Sequence, residues 1–199
     1  MNIFAQYQDL ATPRVKKILS DLGPAQRKSM LTRLGKELEV QLKKHFAQRE
    51  QDSPNKQGFP RSHFWAREVA AKTAFREATP DRATVGIASR PFAFKLRGGT
   101  IKPGPGRRLL ALPMRPEAYG VLPRAGTIAG LGLMKSKQGK LFLGTPDPDD
   151  ARFPRYYFRL VPSVHQDADP RALPPAADLQ KAIEQRAEQE LQRVLQQRT

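Results

Sequence analysis

The sequence predicts an α+β fold: an antiparallel β-sheet packed with a long N-terminal amphipathic helix and a C-terminal helix, with long loops. Three observations lead there. Residues 24–50 carry a helical apolar period, short strand-like runs fill the middle, and a second helical period follows residue 175. The order helix, strands, helix sets helices against an antiparallel sheet instead of alternating them with parallel strands. At 199 residues the chain suffices for one ordinary domain with a real core. A single domain is therefore expected: a helical region over 1–50, a mainly β core with long basic loops over 51–165, and a linker and C-terminal helix over 166–199.

Each element has its own signal. In "PAQRKSMLTRLGKELEVQLKKHFAQRE", Leu31, Leu34, Leu38, Leu42 and Phe46 recur every three or four residues, which is one face of a helix. Pro24 stands where a first helical turn tolerates it. A shorter helix over about 12–22 is expected to precede it and end at Gly23. The turn formers of "QDSPNKQGFP" stop the long helix. Next comes "SHFWAREVAAKTAF", whose Trp65, the only tryptophan, is expected to pack in the core.

After "TPDR" the period becomes strand-like. "ATVGIAS" alternates around Val85 and Ile87, "PFAFKL" around Phe92, Phe94 and Leu96, and 109–112 form a buried-type run. "GKLFLG" and "RYYFRLVPSV" are further strands, and the glycine-rich "GVLPRAGTIAGLGLMKSKQG" before them is read as an extended loop. Residues 162–175 read as a linker. In the helix that follows, Leu179, Ile183, Leu191 and Val194/Leu195 form a narrow stripe with Ala187 in the gap. That stripe is expected to fold back on the chain's own sheet, or else to dock in a neighbour's groove.

Composition narrows the function classes. Without cysteine there is neither a disulfide framework nor a cysteine zinc site. The opening "MNIFAQYQDL" has no basic start followed by an apolar run, and nowhere do 18 apolar residues occur together, so a soluble protein used without secretion or membrane insertion is expected. The formal charge of +16 is unevenly spread, with an excess of +5 in residues 1–50, +12 in 51–145 and −1 in 146–199. A basic middle of that size favours an acidic partner, either nucleic acid or an acidic protein surface.

The glycine-rich run "RGGTIKPGPGRRLLALP" invites a nucleotide-site reading, which fails in detail. Gly99 and Gly104 have the spacing of a phosphate-binding loop, but Pro105 and Gly106 follow where lysine and a hydroxyl are needed, and proline lacks an amide donor. His45, His63 and His165 are scattered and read as satisfied or exposed side chains, not ligands. No serine sits in a nucleophile-elbow pattern. The sequence thus predicts no catalytic residue, no metal and no cofactor, and a protein that is not an enzyme. Arg97, Lys102, Arg107, Arg108, Arg115 and Arg124 could contact phosphates, with Phe92, Phe94 or Tyr119 stacking on bases, so a sequence-independent nucleic-acid-binding protein is the alternative.

The combination of a long N-terminal helix, a tryptophan segment, "FAFKLRGGTIKPGPGRRLLALPMRPEAYG" and "YYFRLVPSVHQDADPRALPPAADLQKAIEQRAEQELQRVL" resembles the Mu-like phage virion morphogenesis and tail-completion proteins. The likeness spans roughly 24–195 and is closest over 92–120 and 156–195; Lys95, Leu96 and Arg97 stand where many relatives carry a histidine-containing segment. The resemblance implies a structural virion protein of the tail or neck, a tail completion or terminator component joining tail to head. It would act as a homo-oligomeric ring, a hexamer being one stoichiometry, beside other neck or tail proteins and close to the DNA. It would occupy the virion after assembly in the host cytoplasm, with no membrane.

On this reading, Gly98 and Gly99 permit a turn that a β-carbon disfavours, and Pro103 and Pro105 hold the next residues extended. The loop would project from a hairpin-like pair formed by residues 92–96 and 109–113. Gly98, Gly99, Thr100, Ile101, Lys102, Arg107, Arg108, Leu191 and Val194 are the expected subunit or partner contacts, and Arg97, Arg115 and Arg124 the expected residues of the DNA path.

Overall fold

The structure is a computed structural model that describes residues 20, 22–52, 59, 62–147 and 153–196. Its α+β content agrees with the sequence, with a long N-terminal helix, a C-terminal helix and antiparallel sheets. The expected helix over 12–22 falls almost wholly outside the described residues. The described residues form two compact units: one of residues 20, 22–52, 63–97 and 168–196, the other of residues 59, 62, 98–147 and 153–167.

The helical unit is built on α1 (Pro24–Asp52), which buries Met30, Leu31, Leu34, Leu38, Leu42 and Phe46 along one face. That face meets a hairpin of β1 (Thr73–Ala78) and β2 (Ala83–Ile87). Gly35 marks the closest approach, since a β-carbon there would lie 2.6 Å from the Phe75 ring. Glu39 fixes the register: its carboxylate accepts the Phe75 N–H at 2.8 Å and a Lys43 Nζ–H at 2.6 Å. The Lys43 bond, followed by the Phe75 amide, holds the Glu39 carboxyl below its ordinary range. A π-helical turn (Phe64–Val69) brings Trp65 into the core as expected.

Two expected features change in this unit. Residues 92–96 are not a strand but lie in the helix α2 (Arg90–Arg97). The buried Ser89 caps it, accepting the Phe92 N–H on its Oγ at 3.2 Å, and Pro91 presets the first turn. The apolar alternation of Phe92, Phe94 and Leu96 is real, but Phe92 and Ala93 are the buried pair, so a local cap decides the conformation. The terminal helix α3 (Ala176–Gln196) packs on α1, not on a sheet. Leu179, Ile183 and Ala187 bury their side chains there at intervals of four, a stripe that suits a helix-to-helix contact.

The β unit holds a two-stranded ribbon, β3 (Gly99–Ile101) against β8 (Val164–Gln166), and a four-stranded antiparallel sheet. The sheet's strands are β4 (Leu110–Pro113), β5 (Gly132–Lys135), β6 (Leu141–Pro146) and β7 (Pro154–Val161), ordered β4-β7-β6-β5. The segment 109–113 therefore pairs with β7, and the hairpin expected with 92–96 does not form. The supposed loop before Lys140 contains β5, and the supposed linker after Val161 contains β8.

The β5–β6 hairpin closes through a tight loop. Ser136 exchanges bonds with Gly139 and Lys140, and Gly139 takes φ +78°, a left-handed position that suits glycine. Phe142 stands opposite Arg159, and Leu143 opposite Phe158, so the two buried phenylalanines lie on opposite faces of the sheet. A register shift at Leu143/Gly144 brings Gly144 against the neighbouring strand, where a β-carbon would sit 2.6 Å from the Arg155 carbonyl oxygen.

Because that neighbour is backbone, Gly144→Ala is expected to destabilise the protein by about 1–3 kcal/mol, the usual range for overpacking. Gly132→Ala, whose β-carbon would meet nothing nearer than 4.0 Å, should change little. Urea unfolding of both variants measures the difference, and equal stabilities contradict the proposed constraint.

Candidate interaction surface

The run that opened the nucleotide question is a junction and an exposed turn. Gly98 has φ +70° and Gly99 φ +135°, a backbone that a β-carbon disfavours, where α2 gives way to β3. Ile101 pairs with Val164, and the exposed Thr100 pairs with His165, Oγ1 to Nδ1 at 3.4 Å. Beyond them Lys102, Arg107 and Arg108 are exposed, and the Arg107 N–H closes a turn on the Gly104 carbonyl at 3.1 Å, with Gly106 at φ +72°.

The expected DNA-path arginines differ in freedom. Arg97 is exposed at the end of α2, and Arg124 is exposed in a short 3-10 turn. Arg115 is held in place: its Nε donates to the Tyr156 carbonyl at 3.2 Å, and its guanidinium lies 6.0 Å from the Tyr157 ring centre. The basic residues around the β5–β6 hairpin were not singled out from sequence. A usable signal was there, since residues 118–146 contain no Asp or Glu.

Exposed apolar side chains concentrate in the β unit. Leu122, Leu133, Phe153 and Met114 are 69%, 68%, 66% and 47% exposed, whereas in the helical unit only Val40 joins them among the described residues. Leu133 lies on β5, an edge of the sheet. Ser136 and Lys140 form a hydrogen-bonded pair, so alternation along the hairpin turns the Leu133 and Lys135 N–H and C=O groups away from β6 toward the open edge.

The C-terminal candidates have another role. Val194 packs against the core of the helical unit and Leu191 is half-buried, so the stripe on α3 is already partnered. Beside it the Glu190 carboxylate is buried and receives Arg33 from α1 and Arg186 from α3, the latter at 2.8 Å. This charged clamp orders the two helices, with a groove lined by Met30, Arg33 and Val194 alongside.

The histidines are satisfied or exposed, as expected. His45 bonds the Arg171 carbonyl through Nε2 at 3.1 Å, His63 lies 3.5 Å from Glu50, and the exposed His165 lies 3.6 Å from Asp167. No group of three or more His, Cys, Asp or Glu among the described residues could hold a metal ion. No described helix is long and apolar enough to cross a membrane.

Burial holds the His45 imidazole below its ordinary value, against a smaller opposing effect of its bond to the Arg171 carbonyl. A depressed folded-state value means that the unfolded chain binds the extra proton first. The resulting stability is complete above the ordinary value of about 6.5 and is lost as pH falls through the lowered one. Chemical unfolding between neutral pH and about pH 5 should show this loss, and His45→Gln should flatten that part of the profile.

Glu190 gives an asymmetric test. Glu190→Ala leaves guanidinium groups on side chains 38% and 37% exposed, which water can solvate, and should cost about 1–2 kcal/mol. The double variant Arg33→Ala/Arg186→Ala strands a buried carboxylate and should cost more, about 3–5 kcal/mol. Urea unfolding that reverses this order rules out the clamp.

No family model, no curated protein and no solved structure matches the chain.

Proposed function

We propose that this protein is a structural virion component of a tailed phage, a tail-completion, terminator or neck protein that joins tail to head by assembling into a ring. The supporting observation is the uneven covering of its two units. The helical unit closes its apolar face between α1, the β1–β2 hairpin and α3, whereas the β unit leaves Leu122, Leu133, Phe153 and Met114 exposed, with Leu133 on the open edge strand β5. A solvated edge carrying large apolar side chains favours pairing with another chain.

The sheet also suits head-to-tail growth. Its two edge strands, β4 and β5, are different sequences, so pairing β5 of one copy with β4 of the next joins unlike patches, as a closed ring requires. This contact replaces the docking expected from Leu191 and Val194, whose helix is engaged within its own unit. The resemblance of the segments 92–120 and 156–195 to tail-completion proteins supplies the virion context.

Light scattering on the purified protein, alone and with tail components, tests the reading. The expected result is a discrete multi-subunit species, reduced to monomer by Leu133→Asp with unchanged circular dichroism. A parent protein that stays monomeric under both conditions, or a Leu133→Asp variant that assembles normally, refutes it.

A further inference from the structure

The four-stranded sheet is electrically polarised along its strands. One end, where Pro146 pairs with Pro154 and Pro113 closes β4, leads into Asp147 and Glu117, the two described carboxylates of residues 98–166. At the other end Lys135 stands opposite Leu141, Leu141 opposite Leu160, and Leu160 opposite Ala111. That row carries the lysine-rich β5–β6 turn at one side and the entry to β4 at the other. The register therefore gathers Lys135, Lys137, Lys140, Arg107, Arg108 and, one residue inward and on the opposite face, Arg159.

All six are exposed, and none forms an ion pair among the described residues. By contrast Arg155, at the acidic end, is paired with Asp147 at 3.4 Å, and that charge holds its guanidinium above its ordinary value. Four strands at a spacing of about 4.8 Å spread the six cations over roughly 14 Å.

We infer that this basic end of the sheet binds a nucleic-acid phosphate backbone. A second copy of the chain offers little charge complement, because at the acidic end Asp147 is already paired with Arg155, and residues 146–199 as a whole carry only −1. Arginine and lysine on separate strands match a line of closely spaced phosphates. Base stacking is not provided for: Phe142 is buried and Tyr156 lies against it with ring centres 4.5 Å apart. The contact is thus to the backbone, indifferent to sequence, and it serves duplex as well as single strands. It assigns the nucleic-acid contact to residues other than Arg97, Arg115 and Arg124, and it does not rest on ring assembly.

The test is the salt dependence of binding to fluorescent duplexes of two unrelated sequences, followed by anisotropy. Six contacts give a log–log slope of up to about −5, at about −0.9 per phosphate neutralised. Lys137→Ala/Lys140→Ala and Arg107→Ala/Arg108→Ala should each reduce that slope by about 2, while Arg97→Ala/Arg124→Ala leaves it unchanged. Leu133→Asp should bind with the parent's slope per chain, which separates this contact from assembly. Three results overturn the inference: no binding to either duplex at low salt, equal slopes in all three paired variants, or binding to poly-glutamate or anionic vesicles but not to DNA.

Discussion

Phe46, fully buried on α1, joins three segments that are distant in sequence. Trp65 of the π-helical turn stacks on it with ring centres 6.0 Å apart, and Phe92 of α2 meets it edge-on at 5.6 Å. Trp65 and Phe92 also touch each other edge-on at 6.3 Å, which closes the cluster. Burying three aromatic rings together is the largest local gain available to this unit, since each removes about 150–250 Å² from water. The β1–β2 hairpin follows the π-helical segment after one 3-10 turn, so the cluster also fixes where that hairpin begins.

The same cluster sets the return of the chain into the helical unit. Arg49, whose guanidinium carbon lies 4.9 Å from the Trp65 ring centre, binds the Asp169 carboxylate at 2.6 Å. The Asp169 N–H donates to the Lys95 carbonyl at 2.7 Å, His45 holds the Arg171 carbonyl, and Ala172 is fully buried. These contacts tie α1, α2 and the segment before α3 to one point, from which α3 runs along α1. The apolar stripe of α3 is consumed by this return, which leaves most of the exposed large apolar groups of the described residues to the β unit. There, a sheet with one buried phenylalanine on each face leaves several large apolar groups in water.

Charge is organised by the same register that organises the sheet. Glu117 and Asp147 fall toward one end, and cations from three separate chain segments fall at the other. Such a gathering costs repulsion among the cations and is tolerated because all are solvated and screened over about 10 Å at moderate salt. An opposite charge brought to that end relieves the repulsion.

The sequence alone determined the two long helices, the core position of Trp65 and the strands β2, β4, β6 and β7, because each rests on a local period or a local backbone requirement. Phe92, Phe94 and Leu96 were misread because a two-residue alternation over six residues fits either state, and the Ser89 cap with Pro91 settles it. Strand partners were not legible: residues 109–113 pair with β7, across more than forty positions, and no local pattern encodes that distance. For the same reason the gathering of Arg107 and Arg108 with Lys135, Lys137 and Lys140 belongs to the tertiary structure. The sequence set how many charges the β unit carries, and only the pairing register decided which of them stand together.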